Sequence, residues 1–148
     1  MRLKRLPAEY YLRNIIIYKI RIQSLTSELD AIRETCGGLK AITYDGISVQ
    51  TSGEQSPLES AYLQAETQIN RTAEIIRGLI EKRAKMIDQI YSIKPEEHAN
   101  LLAMTFIDGK SPLQVMDKMN YSDSWYWHNR REALKTFQSM YGEEIESI

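Results

Sequence analysis

The chain has 148 residues, 43 % of them apolar and 26 % charged, which is typical of one or two small globular domains. Its formal net charge of −1 excludes a strong overall attraction to a polyanion. The single cysteine, Cys36, excludes an intrachain disulfide, and the longest apolar run, residues 15–18, is far too short to span a membrane. We therefore expect a cytoplasmic protein that is held together by packing alone.

Apolar side chains near the start recur at alternating spacings of four and three, the heptad pattern of a coiled-coil helix. They are Tyr11, Ile15, Tyr18, Ile22, Leu25, Leu29 and Ile32. Pro7 suits a first helical turn, and Gly37-Gly38 predict that the helix ends near residue 35. Residues 37–57 are rich in glycine and contain an Asp-Gly turn signal, so they predict a long connector with a short extended piece around Ile47 and Val49.

The same spacing returns after Pro57 and continues to Ile93, just before Pro95. It comprises Leu58, Tyr62, Ala65, Ile69, Thr72, Ile76, Leu79, Arg83, Met86, Ile90 and Ile93. Two long heptad helices predict an antiparallel hairpin over residues 1–93, in which the charged head of Arg83 reaches water.

A two-helix hairpin leaves one apolar flank uncovered, and further isoleucines widen its apolar stripe: Ile16, Ile20, Ile75, Ile80 and Ile87. We therefore expect the hairpin either to dimerise or to pack on the C-terminal part. The heptad residues expected at an oligomer contact are Tyr11, Ile15, Tyr18, Ile22, Ile69 and Ile76.

Residues 94–148 predict a small domain of three short helices. The first begins at Pro95-Glu96-Glu97 and ends at Asp108-Gly109, and the second begins at Ser111-Pro112. Asn120-Tyr121 predicts a tight turn, after which Ser122 can cap a third helix that runs to about Tyr141, before Gly142. The predicted fold is all-α: a long helical hairpin followed by a helix-turn-helix domain.

The third helix of this domain combines aromatic and polar residues at its start, in the stretch SDSWYWHNRREALKTFQ. Tyr126, Ala133 and Phe137 recur at helical spacing and predict its core face. In a helix-turn-helix the second helix of the pair enters the major groove with its N-terminal residues. The candidate DNA contacts are Lys110, Ser122, Asp123, Ser124, Trp125, Trp127, His128, Arg130, Arg131 and Lys135. The Ser, Asp, His and Arg131 side chains among them can bond base edges, whereas the candidates for backbone phosphates are Lys110, Lys118, Arg130 and Lys135.

Two observations keep alternatives open. Trp125 and Trp127 can instead seal the short helices against the coiled coil. The segment from Lys94 onward carries six Lys and Arg against nine Asp and Glu, whereas a DNA-binding domain is usually basic. The basic start of the chain, Arg2, Lys4 and Arg5, can supply backbone contacts if it lies near the duplex.

The stretch IDGKSPLQVMDKMNYSDSWYWHNRREALKTF resembles the region 4 helix-turn-helix of sigma-70-type factors. The matching positions are Asp108-Gly109, Val115, Met119, Ser122 and residues 130–134 (RREAL). Two positions depart from that pattern: Asn129 replaces a core aliphatic residue, and Asp123-Ser124 replace a basic pair.

The whole layout, with its VQTSGEQSP stretch between two long helices, is similar to the RinA/ArpU-like late transcription regulators of phages of Gram-positive bacteria. The resemblance implies sequence-specific binding of double-stranded DNA at a phage or mobile-element promoter and activation of late or packaging genes.

Catalytic and metal-binding patterns are missing from the sequence. The two histidines, His98 and His128, fall in different predicted helices, and no CxxC, HExxH or glycine-rich phosphate loop occurs. We therefore expect neither an enzyme nor a cofactor or metal site. The second functional hypothesis is a protein-interaction module whose coiled coil binds RNA polymerase or a phage or host regulator.

Overall fold

The computed structural model describes residues 5–45 and 56–147, with backbone alone for residues 39–45. The elements are helices α1 (Pro7–Asp45), α2 (Pro57–Ser92), α3 (Glu96–Leu102), α4 (Pro112–Met119) and α5 (Asp123–Glu146). A wider π-helical turn, Ala103–Ile107, continues α3. No strand occurs within the described ranges, so the predicted all-α class is confirmed. None of the described helices combines the length and the apolarity that crossing a membrane requires.

Helix α1 is longer than predicted, because it continues through Gly37 and Gly38 to Asp45. A glycine inside a helix costs about 1 kcal/mol relative to alanine, which weakens a helix without stopping it. A glycine that ends a helix adopts positive φ, and the described residues that do so are Gly109 (69°) and Asn120 (57°). The predicted helix end near residue 35 is therefore wrong. Residues 46–55, where the extended piece was predicted, lie outside the described residues.

The described chain packs into two compact units. The first unit contains the chain up to Lys19 and from Glu81 onward, and the second is Ile20–Ile80. The division into domains at residues 1–93 and 94–148 stays a prediction. The first turns of α1 and the last turns of α2 bury side chains in the same core as the short helices.

The core of the first unit is built from every helix of the chain. Its largest fully buried side chains include Tyr126, Phe137, Leu12, Ile15 and Ile90. Within this unit α1 and α2 run antiparallel: the Tyr11 hydroxyl donates to Gln89 Oε1 at 2.7 Å, and Arg83 Nε donates to the Ile15 carbonyl at 3.1 Å.

Two of the isoleucines that widen the stripe pack on this first unit. The side chain of Ile16 lies against Gly109, where an added Cβ would be 3.4 Å from Ile16 Cδ1, and Ile87 packs on the core. These two residues therefore follow the predicted alternative of packing on the C-terminal part.

The second unit is a helical pair with a narrow buried stripe. Leu29, Ile32 and Leu79 are buried there, together with Thr72. Several other apolar side chains of this unit stay exposed, by 43–60 %: Ile20, Leu63, Ile75 and Ile80. The stripe therefore leaves apolar surface in contact with water.

The connection between α4 and α5 is a helix-turn-helix in the geometric sense. Ser111 begins α4 with a capping box, in which its Oγ accepts from Gln114 N and Gln114 Oε1 accepts from Ser111 N. Asn120 turns the chain in the left-handed conformation, and Ser122 Oγ accepts from Trp125 N at 3.3 Å to begin α5. Both predicted helix starts are confirmed.

Candidate nucleic-acid interface

The first turns of α5 form the outer surface of the helix-turn-helix. Tyr126, Ala133 and Phe137 are fully buried, so the predicted core face is confirmed. The remaining early positions of α5 with their cap are exposed, apart from Asn129 and Arg130: Ser122, Asp123, Ser124, Trp125, Trp127, His128 and Arg131. Trp125 is 53 % and Trp127 is 45 % exposed, so packing covers only about half of each indole.

An aromatic cluster covers the start of α5. The Trp125 ring lies edge-on to Tyr121, with centroids 6.5 Å apart, and 6.1 Å from the His128 ring at a tilt of 33°. The Tyr121 hydroxyl donates to the Glu97 carboxylate on α3. These contacts hold Trp125 and His128 next to each other at the surface, where their polar atoms can reach an external partner.

Asn129 is a buried polar residue of α5, and both ends of its side-chain amide are hydrogen-bonded. Its Nδ2 donates to the Trp125 carbonyl at 2.8 Å, and its Oδ1 faces His98 Nε2 at 3.0 Å. Because Oδ1 is an acceptor, His98 Nε2 carries the proton. His98 Nδ1 is buried without a hydrogen-bond partner among the described residues. The pair therefore forms a polar contact between α3 and α5.

Arg130 differs from its neighbours because it is paired inside the first unit. Its guanidinium contacts Glu9 Oε1 at 3.0 Å, and the two side chains are 16 % and 10 % exposed. Its guanidinium carbon also lies 5.7 Å from the Phe106 ring centroid and 5.5 Å from that of Trp127. Arg130 therefore joins α1 to α5 and offers little surface for the phosphate contact predicted from the sequence.

The other predicted cationic contacts vary in accessibility. Arg131 is exposed, Lys118 is exposed on α4, and Lys110 is half-buried before it. Lys135 is exposed and lies 3.7 Å from Glu132, one turn earlier on the same helix. The accessible positive charge nearest to Trp127 and His128 along the helix is thus Arg131.

Five further residues of the first unit complete the surroundings of Arg131 and Trp127. An open cleft of about 300 Å³ is lined by Arg5, Leu6, Glu9, Trp127, Arg130, Arg131 and Leu134. Arg5 was noted as part of the basic start, but Leu6 and Glu9 carried no local signal, because their partners are more than 100 residues away. Arg2 and Lys4 lie outside the described residues.

The heptad residues predicted at an oligomer contact lie partly inside the chain. Tyr11 is 5 % and Ile15 is 0 % exposed, both in the core of the first unit. Tyr18, Ile22, Ile69 and Ile76 are half-buried. Tyr11 and Ile15 are therefore unavailable to a second copy in this fold. Among the described residues no three His, Cys, Asp or Glu side chains are grouped as a metal site would require.

Burial of Tyr121, with its hydrogen bond to the negative Glu97, raises the pKa of the Tyr121 phenol above its usual value of 10.0. A raised folded-state pKa means that the contribution of this tyrosine to stability is complete below pH 10.0 and is lost as the pH rises through the folded-state pKa. We expect Tyr121→Phe to reduce the loss of unfolding free energy above pH 10.0, as measured by urea unfolding. Tyr10→Phe, at a tyrosine that is 56 % exposed, is the control; equal pH profiles for both variants would contradict the expectation.

These observations define an all-helical protein in which a helix-turn-helix exposes aromatic, imidazole and guanidinium groups at the start of its second helix. Residues 52–138, more than half of the chain, match a family described as "Protein of unknown function (DUF1492)". The chain therefore belongs to the DUF1492 family, and the matched segment includes all of α2, α3 and α4 and most of α5. Neither the curated proteins nor the solved structures gave a match.

Proposed function

We propose that this protein is a cytoplasmic, sequence-specific DNA-binding transcription regulator of a phage or mobile genetic element, acting on late or packaging genes as an activator. The observation that carries the proposal is the exposure of Trp125, His128 and Arg131 at the capped start of α5. This is the part of a helix-turn-helix that enters the major groove. The sequence likeness to sigma-70 region 4 and to RinA/ArpU-like regulators supports the same function.

The chemistry of the exposed groups suits a duplex. The His128 imidazole and the Ser124 hydroxyl can bond base edges, and the Trp125 indole can pack on a sugar or a thymine methyl. The excess of acidic over basic residues in the C-terminal segment predicts that non-specific affinity is low, so recognition depends on these contacts more than on the bulk field.

The first test is a mobility-shift assay with the region upstream of the protein's own operon. We expect a specific shift at moderate salt, and we expect His128→Ala to weaken binding to that site by about 1–3 kcal/mol, because one base contact is lost. Binding to a scrambled duplex should change little.

Ser139→Ala, an exposed position later on α5, is the matched control. A folded protein that shifts no duplex from this region would refute the proposal. Equal effects of His128→Ala on the specific and scrambled duplexes would refute the base-reading role of His128.

The second candidate function is a protein-interaction module that binds RNA polymerase or a regulator. It is favoured by the exposed apolar side chains of the second unit, Ile20, Leu63, Ile75 and Ile80. A homodimer through the predicted heptad residues would be left with the half-buried Tyr18, Ile22, Ile69 and Ile76, since Tyr11 and Ile15 are buried. Co-purification with polymerase after nuclease treatment, and solution mass by light scattering, distinguish these partners from DNA.

A further inference from the structure

The start of α1 is fastened to α5 by polar contacts that span almost the whole sequence. The Ala8 amide donates to Gln138 Oε1 at 2.9 Å, and the Glu9 carboxylate pairs with Arg130. Ala8 is completely buried, and Leu6 packs against the core. Arg5 therefore has a defined position one turn before these anchors, at the edge of the cleft that Trp127 and Arg131 line.

The charge in this cleft is unevenly compensated. Glu9 is the one acidic residue among its lining residues, and it is paired with Arg130 at 3.0 Å. Among the described residues, neither Arg5 nor Arg131 has an ion-pair partner, and both are exposed. The cleft thus presents two uncompensated guanidinium groups together with the Trp127 indole, which is a chemistry suited to a phosphate on a sugar.

The cleft also borders the surface proposed to read bases. Arg131 follows His128 by three positions and Trp127 by four, and residues so spaced lie on one side of a helix. Contacts to the phosphate backbone fix the register of a protein on the duplex beside its base contacts.

We propose that the cleft formed by Arg5, Trp127 and Arg131 binds a backbone phosphodiester of the duplex, so that the start of α1 belongs to the DNA interface. This inference rests on the proposed function, and it assigns Arg131 to phosphate instead of a base edge. It also assigns Glu9 and Arg130 as the positioning pair that holds the cleft open in this shape.

The test is fluorescence anisotropy of the full chain with the operon-upstream duplex and with a scrambled duplex, each titrated over a series of salt concentrations. We expect Arg5→Ala and Arg131→Ala each to lower the affinity for both duplexes by a similar factor. Each should also reduce the slope of log affinity against log salt concentration by about one. Arg33→Ala is the control, because it removes the same charge from an exposed arginine of the second unit. It should change the affinity for either duplex only by the general loss of one positive charge.

The outcomes separate this inference from the proposed function. Absence of binding to any duplex refutes both. If the protein binds its duplex specifically, but the affinity and salt slope of Arg5→Ala equal those of Arg33→Ala, the phosphate role of the cleft is refuted and the proposed function stands. If Arg131→Ala lowers the affinity for the specific duplex only, Arg131 contacts a base and its phosphate role is refuted.

A free phosphate is the other source of the same chemistry. Inorganic phosphate is titrated against Trp127 emission in a Trp125→Phe background, without DNA. Saturable quenching that Arg5→Ala abolishes, together with duplex binding that Arg5→Ala leaves unchanged, would assign the cleft to a small phosphate ligand and overturn the DNA assignment. Quenching without saturation, with the expected salt slopes, supports the DNA assignment.

Discussion

Replacing Arg130 by alanine is expected to lower the free energy of unfolding by about 3–5 kcal/mol, because it leaves the Glu9 carboxylate buried without a counter-charge. The Glu9 side chain is 10 % exposed, so water cannot restore the lost interaction. The substitution also removes the cation from between the Phe106 and Trp127 rings. Urea unfolding followed by circular dichroism measures the change.

Arg131→Ala is a matched control, since it removes the next arginine of the same helix from an exposed position. Its cost should stay within about 0.5 kcal/mol, as is usual for surface substitutions. The double variant Glu9→Gln/Arg130→Met should recover most of the stability, because no buried charge is left unpaired. A loss for Arg130→Ala no larger than that for Arg131→Ala would show that the ion pair does not hold α1 on α5.

This pair shows why the sequence could predict the elements better than their assembly. Capping is local, so Ser111 and Ser122 identified the two helix starts correctly, and periodicity identified Tyr126 and Phe137 as core. Glu9 and Arg130 are 121 positions apart, and nothing near either residue indicates its partner. The sequence therefore predicted Arg130 as a surface contact, although its guanidinium pairs with Glu9 in the interior of the first unit.

The heptad pattern is ambiguous for a different reason: the same spacing occurs in a stripe buried in a core and in a stripe left exposed. Alternating spacing of four and three predicts a stripe but does not say which partner covers it. In the first unit the stripe is covered by the short helices, which bury Ile15 and Ile90 completely. In the second unit Ile75 and Ile80 remain about half exposed. The same sequence signal thus yields a core in one place and an available surface in the other.

The combined arrangement gives the helix-turn-helix an unusual support. Helix α1 contributes Leu12 and Ile15 to the core beneath α5, and it contributes Glu9 to the pair that fixes Arg130. Under the proposed function, this surface must be held rigidly if its side chains are to discriminate between bases. The α1 contacts supply that rigidity along the middle of α5, and the polar pair between α3 and α5 supplies it near the start.

Asn129→Leu is expected to lower the free energy of unfolding by about 3 kcal/mol, although it places an apolar side chain at a buried position. The substitution removes the acceptor of His98 Nε2, and the buried His98 Nδ1 already has no described partner, so neither ring nitrogen would have a hydrogen bond within the described fold. Leaving a buried polar group unsatisfied costs more than an ordinary hydrogen bond contributes.

The double variant His98→Phe/Asn129→Leu should recover most of that loss, because apolar groups then replace both partners. His128→Phe/Asn129→Leu is the matched control: it changes the exposed histidine instead, and it should stay as unstable as Asn129→Leu alone. Equal stabilities of the two double variants would contradict the role of His98. Recovery in the His98→Phe/Asn129→Leu variant but not in its control would mean that Asn129 is suited to this buried position because of its histidine partner.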